Sequence, residues 1–536
     1  MRVEEQRRDE PQRHRGTEKT RDRVFFENSI SGFLCVSVPL WFAPPLLAER
    51  GAFVSFEQKP FLMLFAVVFA WWWLVRRREH SAVALLLAAS LLFYAYNHWF
   101  LLPILLAYSV VNFFVGRRLE TSSRPKLWLW GGVGFNLLVL GYYKYTPLLV
   151  QTLADLLPGV LPTVSPGAFE KWSIPYGISF YAFTGIAYMV DVYRKATPAE
   201  PSVWRYALSA CFFPHLVAGP ILRPNEFLDK VRPGQLPTEP EAPGEACWLI
   251  ARGFFKKLVV ADRIGVTIDP FFAHVNDPTT AGVWALPYVW LYALQIYFDF
   301  SAYTDMARGF GLLFGYRWPE NFDRPYLAAS VTDFWRRWHM TLSRFLRDYV
   351  YIALGGNRKG RFRTNLNLML TMLLGGLWHG ASWAFLVWGG LHGAFLILHR
   401  LWASCGLANW LNARTGWARH LWHAVAVLVT FHCVCLAWCF FRLTRFEDSA
   451  ACVRKWVECD VGKMWAGPWV DPAVWLALAF YAALAWAAES LRGWAAKGTG
   501  APAAVGAVWG VRLATLALAA LLAPTGASGA FIYFQF

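Results

Sequence analysis

Apolar segments separated by short polar stretches occupy most of the chain. A helix needs about 20 apolar residues to cross the hydrocarbon core of a bilayer, and many of these segments approach that length. The pattern predicts an all-α polytopic membrane protein with about a dozen transmembrane or re-entrant helices. The segments lie at about residues 24–47, 53–75, 81–96, 99–115, 127–150, 247–273, 284–316, 381–400, 420–441, 470–490 and 505–523.

The segment at 213–223 is also apolar, but Pro214, Gly219 and Pro220 interrupt it. We expect an irregular or re-entrant segment there. Such a backbone persists at membrane depth only where protein or a watery cavity satisfies its polar groups.

The composition supports this assignment. Hydrophobic residues make up 57% of the chain and charged residues 16%, whereas a soluble domain carries about 25% charged residues. No long polar linker divides residues 24–536, so we predict a single membrane-embedded body. Residues 1–23 are polar, with charges of both signs, and we expect a disordered tail.

A formal net charge of +16 raises the question of nucleic-acid binding. However, the basic residues lie mainly between apolar segments, as at 76–78, 117–118 and 358–361. That placement is typical of cytoplasmic loops under the positive-inside rule. We therefore expect contact with membrane lipid and no nucleic-acid partner.

A polar stretch at 299–383 stands out from its apolar surroundings, and we predict that it is the catalytic region. Within it, His379 lies in an apolar run. Burial favours the neutral imidazole, which can accept a proton, and Gly375, Gly376 and Gly380 leave space for a substrate or a neighbouring helix. The alternative is a hydrogen-bonded packing histidine.

Residues 331–352 are too charged to cross lipid and are predicted to form one helix. On a regular helix, the four-residue spacing of Trp335, His339 and Ser343 places them on one face, with Arg336 and Arg347 close by. Arginine pairs with phosphate and stacks on aromatic rings, so this face suits an anionic ligand. The alternative is an interfacial helix whose arginines meet lipid phosphates.

Asp299 and Asp305 are six residues apart and should point in roughly opposite directions on a regular helix. We expect one to orient a histidine or arginine and the other to cap a helix or pair structurally, and we include both in the substrate-binding set. The sequence contains neither a phosphate-binding loop nor a GxSxG serine motif, which indicates an activated donor or a gradient as the energy source. The nine cysteines lack metal-ligand spacing, and we predict no metal site.

Six short motifs stand out in and around this polar stretch: DFSAYTD at 299–305, PENF at 319–322, RPY at 324–326, DFWRRWH at 333–339, LGGNR at 354–358 and GLWHGASW at 376–383. They resemble motifs of membrane-bound O-acyltransferases, in particular the branch that O-acetylates alginate and other bacterial polysaccharides. The sequence departs from that branch at Ala353, where proline is usual, and at His215, where glutamine is common.

The resemblance implies helices around a reaction tunnel in a bacterial cell (inner) membrane. His379 would be the family's invariant catalytic histidine and His339 its second polar position, with Trp378 in the substrate-binding set. The expected donor is acetyl-CoA or another acyl thioester, with no bound cofactor. The expected acceptor is an exported polysaccharide, reached directly or through an extracytoplasmic acetyltransferase partner.

Three alternatives remain open from the sequence. The related proteins that transfer D-alanine to teichoic acid share the helix motif around His339. A proton-coupled transporter would use the aspartates and histidines as relay groups. A non-catalytic scaffold of a polysaccharide-export complex would keep its function without His379.

Overall fold

A computed structural model describes residues 56–160, 164, 169, 172–216, 219–462, 475 and 478–479. Helices form the regular structure of these residues, in agreement with the all-α prediction. The predicted tail at 1–23 and the segments at 24–47 and 505–523 lie outside the described residues, as does nearly all of 470–490. The α-helices described are α1 (Lys59–Val75), α2 (Glu79–His98), α3 (Leu102–Thr121), α4 (Pro125–Leu140), α5 (Thr146–Leu156), α6 (Ile178–Tyr193), α7 (Val203–Cys211), α8 (Pro224–Val231), α9 (Pro243–Phe254), α10 (Asp262–Ala273), α11 (Ala285–Leu313), α12 (Val331–Arg337), α13 (Met340–Phe345), α14 (Gly360–His379), α15 (Trp383–Ala403), α16 (Gly406–Asn412), α17 (Gly416–Arg442) and α18 (Phe446–Glu458).

Four helical stretches of the described chain are long and apolar enough to cross a membrane. They are Glu79–Tyr96, Trp99–Thr121, Trp383–Ala403 and Gly416–Arg442. Their length and composition fit the polytopic prediction. The larger number of about a dozen spans stays a prediction.

Three of the predicted helices contain a π-helical segment, in which an extra residue is inserted into a turn. These segments are Gly141–Tyr145, Phe255–Ala261 and Leu346–Tyr351. Such insertions in α-helices are frequent at functional sites. The interrupted apolar segment is confirmed, since the described residues between α7 and α8 form turns and extended chain and no helix.

Glycines bring α14 and α15 into close contact. A β-carbon at Gly376 would overlap the carbonyl oxygen of Phe385, and one at Gly389 would overlap that of Met372. A β-carbon at Gly380 would meet the ring of Phe385. At Gly376 and Gly380, the space predicted from the sequence is therefore filled by the neighbouring helix.

Polar contacts define two ends of the helical bundle. At the first, the basic end, ion pairs connect distant parts of the chain. They join Arg76 to Glu239, Arg223 to Asp348, Arg317 to Glu241 and Glu245, and Arg344 to Glu226. At the opposite end, Arg442 pairs with Asp269, Asn276 with Asp448, and Ser382 with the carbonyl of Thr444. Helix α11 connects the two ends with 29 residues, which is about 43 Å at 1.5 Å per residue.

Candidate active site

His379 is the last residue of α14 and lies in an aromatic enclosure. Its ring centroid is 4.8 Å from that of Trp378, 4.9 Å from Trp388 and 5.0 Å from Phe441. The residue is 6% exposed, and it faces a cavity of about 360 Å³. We refer to this as the His379 cavity. It is also lined by His98, Lys144, Trp172, Ser173, Ile174, Pro175, Tyr176, Gly177, Ile178, Ser179, Phe180 and Trp378.

Lys144 also lines this cavity, and it was not predicted from the sequence. It lies in the π-helical segment Gly141–Tyr145 and is 8% exposed. Its ammonium group donates to the carbonyl oxygens of Trp378 and His379, the latter at 3.0 Å. A signal was available in the sequence, because Lys144 is an ionisable residue inside the apolar segment 127–150, and such residues usually have a function.

The structure corrects the prediction of one continuous helix over 331–352. Helix α12 ends at Arg337, and His339 precedes α13 with φ 42° and ψ 55°, in the left-handed region. Residues 335, 339 and 343 therefore do not share one helical face. The expectation was wrong because it assumed regular geometry across Trp338 and His339.

The imidazole of His339 is fully buried, at 0% exposure. Its Nδ1 lies 3.0 Å from Oδ1 of Asn321, which also accepts hydrogen bonds from the backbone N–H and the hydroxyl of Thr341. Because that oxygen can only accept, Nδ1 carries the proton and Nε2 carries the lone pair. Among the described residues, Nε2 of His339 has no hydrogen-bond partner. The sequence reasoning did not identify Asn321.

Trp378 lies between the two predicted catalytic histidines. Its ring centroid is 6.2 Å from that of His339 and 4.8 Å from that of His379. A third buried histidine, His392, accepts a hydrogen bond from the indole N–H of Trp335 at 3.3 Å. Lys144, His339 and His392 all lie close enough to His379 to interact with it electrostatically.

Four of the predicted binding residues line a second, larger cavity of about 870 Å³. Trp335, Arg336, Ser343 and Arg347 all contribute to it, even though the helix that was expected to align them is broken. We refer to it as the arginine cavity. Its other lining residues are Thr332, Met340, Arg344, Leu346, Tyr351, Leu368, Thr371, Met372, Leu396, His399, Arg400 and Ala403. A tunnel that joins the two cavities stays a prediction.

Asp299 and Asp305 line neither of these cavities. Ion-pair partners of both lie in residues 252–257, and each aspartate pairs with different residues of that segment. Asp305 pairs with Arg252 at 2.5 Å and with Lys256 at 2.7 Å. Asp299 pairs with Lys257 at 2.9 Å. The π-helical segment Phe255–Ala261 carries both lysines. A substrate-binding role for the two aspartates stays a prediction.

The part of the chain that the structure describes contains no group of three or more His, Cys, Asp or Glu side chains that could hold a metal ion.

The chain is similar to several bacterial proteins named for acyl transfer. The chain is 44% identical over 315 residues to the probable alginate O-acetylase AlgI of Azotobacter vinelandii, covering 58% of this chain and 61% of that protein. It is 34% identical over 397 residues to the peptidoglycan O-acetyltransferase of Helicobacter pylori, covering 68% and 72%. A teichoic acid D-alanyltransferase of Bacillus subtilis is 27% identical over 283 residues, covering 51% and 69%.

A family model agrees with these matches. Residues 192–442 match the membrane-bound O-acyltransferase family, and this range includes both His339 and His379. The relatives are bacterial. This chain belongs to the membrane-bound O-acyltransferase family.

Proposed function

We propose that the protein transfers an acyl group, most simply acetyl, from a cytoplasmic thioester to a hydroxyl group of an exported polysaccharide. The observation that carries this proposal is the position of His379. It is a buried histidine at the end of a helix, faces an aromatic cavity, and lies within the region that matches the acyltransferase family. The two O-acetylating relatives act, by their names, on alginate and on peptidoglycan.

His379 acts as the general base in this proposal. Its neutral imidazole takes the proton from the attacking hydroxyl group as the oxygen forms a bond to the thioester carbonyl carbon. The carbon–sulfur bond then breaks, and the departing thiolate recovers the proton from the imidazolium. His339 or the nearby Trp and Arg side chains position the thioester or stabilise the oxyanion.

The arginine cavity suits the donor. Acetyl-CoA carries phosphate groups, and the guanidinium group of Arg336 in this cavity matches phosphate geometry. Arg344 and Arg347 pair with Glu226 and Asp348 and add positive charge to the cavity wall. Another acyl thioester with an anionic carrier would satisfy the same chemistry. No bound cofactor is needed, because the thioester itself supplies the activated acyl group.

The His379 cavity suits a carbohydrate acceptor. Trp172, Tyr176 and Trp378 present aromatic surfaces, and Ser173 and Ser179 add hydroxyl groups that can hydrogen-bond to a sugar. An extracytoplasmic acetyltransferase that finishes the transfer would approach the same cavity. In that case this chain performs only the first step.

The charge distribution orients the protein in the bacterial cell membrane. The basic end carries the arginine cavity residues and the loops rich in Arg and Lys, which the positive-inside rule places in the cytoplasm. Helix α14 runs from Gly360 towards the opposite end and terminates at His379. This orientation brings the donor from the cytoplasm and the acceptor from outside.

Replacement of His379 tests the proposed function. In cells that make the exported polymer, His379→Gln should lower its O-acetyl content by about 100-fold or more, since a general base contributes that much to rate. The acetate released from purified polymer by mild alkali measures the content. His420→Gln, which changes an exposed histidine on α17, is the matched control.

Membrane abundance of each variant must be measured alongside the acetate. Normal O-acetylation by His379→Gln at wild-type abundance would exclude the assignment. Transfer of D-alanine instead of acetyl would favour the alternative that the Bacillus relative represents. Supplying the cells with isotopically labelled acetate and D-alanine separates the two outcomes.

A further inference from the structure

The carbonyl groups at the end of α14 need partners that the helix itself cannot provide. The last four carbonyls of an α-helix have no intrahelical donors. Helix α14 stops at His379, because Gly380 is extended with φ −162°. In this buried setting, carbonyls without hydrogen bonds would cost about 1–3 kcal/mol each. The segment Gly141–Tyr145 supplies donors to the last three of these carbonyls.

Two consecutive side chains of that segment satisfy three consecutive carbonyls. Tyr145 donates its hydroxyl to the carbonyl of Leu377 at 2.7 Å. Lys144 donates to the carbonyls of Trp378 and His379. The last turn of α14 is therefore fixed through the main chain of the catalytic histidine itself.

We propose that Lys144 is a positioning residue for acyl transfer, whose ammonium group holds the last turn of α14 so that the His379 imidazole faces the acceptor. The proposal rests on the proposed function of His379. Lys144 acts through His379 and does not need to touch the substrate.

The remaining contact of Lys144 supports positioning over direct catalysis. An ammonium group has three N–H donors. The two carbonyls account for two of them, and the third is directed at Oγ of Ser179 at 3.3 Å. All three N–H donors of the Lys144 ammonium group are therefore directed at acceptors within the protein. It ties together the π-helical segment, the start of α6 and the end of α14.

A charged group at this point has a second effect. The C-terminus of a helix carries partial negative charge, and a cation stabilises it. The same cation disfavours the imidazolium form of His379, so the histidine returns its proton readily to the departing thiolate. His339 and His392 also act on His379 electrostatically, and His98 lines the cavity from α2. Burial, together with His339, Lys144 and His392, favours the neutral form of His379.

Purified full-length protein in lipid nanodiscs, with radiolabelled acetyl-CoA as donor and alginate oligosaccharides as the acceptor probe, tests this role. Lys144→Met keeps the aliphatic stem but loses the donors and the charge. We expect kcat to fall by about 10- to 100-fold, the cost of a misplaced catalytic group, with little change in KM for acetyl-CoA. The acid limb of the pH–rate profile should move to higher pH, because removal of the cation eases protonation of His379.

Lys144→Arg retains charge and donors and should recover part of kcat. Tyr145→Phe is the matched control, since it removes a hydrogen bond from the same helix end without removing charge; it should leave the pH profile in place. If Lys144→Met is not extracted as a monodisperse protein, Lys144→Gln replaces it, with donors but no charge. That variant should still shift the profile.

The outcomes distinguish this proposal from the proposed function. Wild-type kcat and an unshifted profile for Lys144→Met, beside an inactive His379→Gln, would overturn the role of Lys144 alone. Equal loss in Lys144→Met and Tyr145→Phe with no pH shift would reduce Lys144 to a structural contact. Wild-type activity in His379→Gln would remove the basis of both.

Discussion

His339 combines backbone strain with complete burial. A non-glycine residue in the left-handed region costs about 1–2 kcal/mol, and such residues persist where the surrounding structure over-determines them. Asn321 provides that support twice, because its side chain accepts from Nδ1 of His339 and its carbonyl accepts from the N–H of Met340 at 3.0 Å. The strain is maintained at the residue that is predicted to be the second catalytic position.

Two substitutions distinguish the effect of the His339 backbone conformation from the effect of its imidazole ring. His339→Gly relieves the positive φ, whereas His339→Ala keeps the strain; both remove the imidazole. We expect His339→Gly to be more stable than His339→Ala by about 1 kcal/mol. Both variants should lose most of the acetyl transfer. Thermal unfolding in nanodiscs and the acetyl-CoA assay measure the two quantities. Recovery of transfer in the glycine variant would mean that only the backbone conformation matters.

The predictability of individual site residues depended on their spacing in the sequence. His379 is recognisable because an ionisable residue in an apolar run is unusual, and the predicted residues of the arginine cavity all lie between positions 335 and 347, on both sides of His339. Asn321 and Lys144 come from distant segments, 18 and 235 residues from the histidines that they contact. Only tertiary folding brings such partners together.

At the scale of elements, apolar periodicity located most helices but not their irregularities. The segments 127–150 and 247–273 each become two α-helices joined by a π-helical segment. The break at His339 falls in a stretch whose charges and aromatic residues fit a continuous helix. These features cannot be predicted from the local sequence pattern, because the hydrogen bonds of Asn321 and the ion pairs of Lys256 and Lys257 connect different elements.

The close contact between α14 and α15 predicts different effects for substitutions at two adjacent glycines of α15. Gly389→Ala would place a β-carbon against the carbonyl of Met372, whereas the adjacent Gly390→Ala meets only a side-chain methyl of Leu373 at 3.7 Å. We expect Gly389→Ala to destabilise the protein by about 1–3 kcal/mol through overpacking. It should also lower acetyl transfer, because Trp388 contacts the His379 ring.

Gly390→Ala serves as the control one position along the same helix. It should be neutral or stabilising by up to about 1 kcal/mol, since alanine favours helix over glycine. Thermal unfolding of the two purified variants checks the difference. Equal stability would show that the helices can separate without cost, and that the glycine contact does not position His379.

At the scale of the whole molecule, the two ends of the bundle imply opposite sides of the membrane. The basic end includes the loop after α15, where Cys405 is exposed. The opposite end includes α18, because the β-carbon of a residue at Gly282, just before α11, would meet the carbonyl of Lys455 on α18. Cys459 follows α18 directly and is also exposed. The chain thus carries a native thiol near each end.

These thiols test the orientation on which donor and acceptor access depends. In single-cysteine variants with the other cysteines replaced by alanine, a membrane-impermeant maleimide should label Cys459 in intact cells. It should label Cys405 only after the inner membrane is permeabilised. Basic loops remain in the cytoplasm, which places Cys405 on that side. Helix α17 is a candidate membrane span between Cys405 and Cys459, and a single crossing puts the two cysteines on opposite sides. The reverse pattern would place the arginine cavity outside, away from any cytoplasmic thioester, and would contradict the proposed direction of transfer.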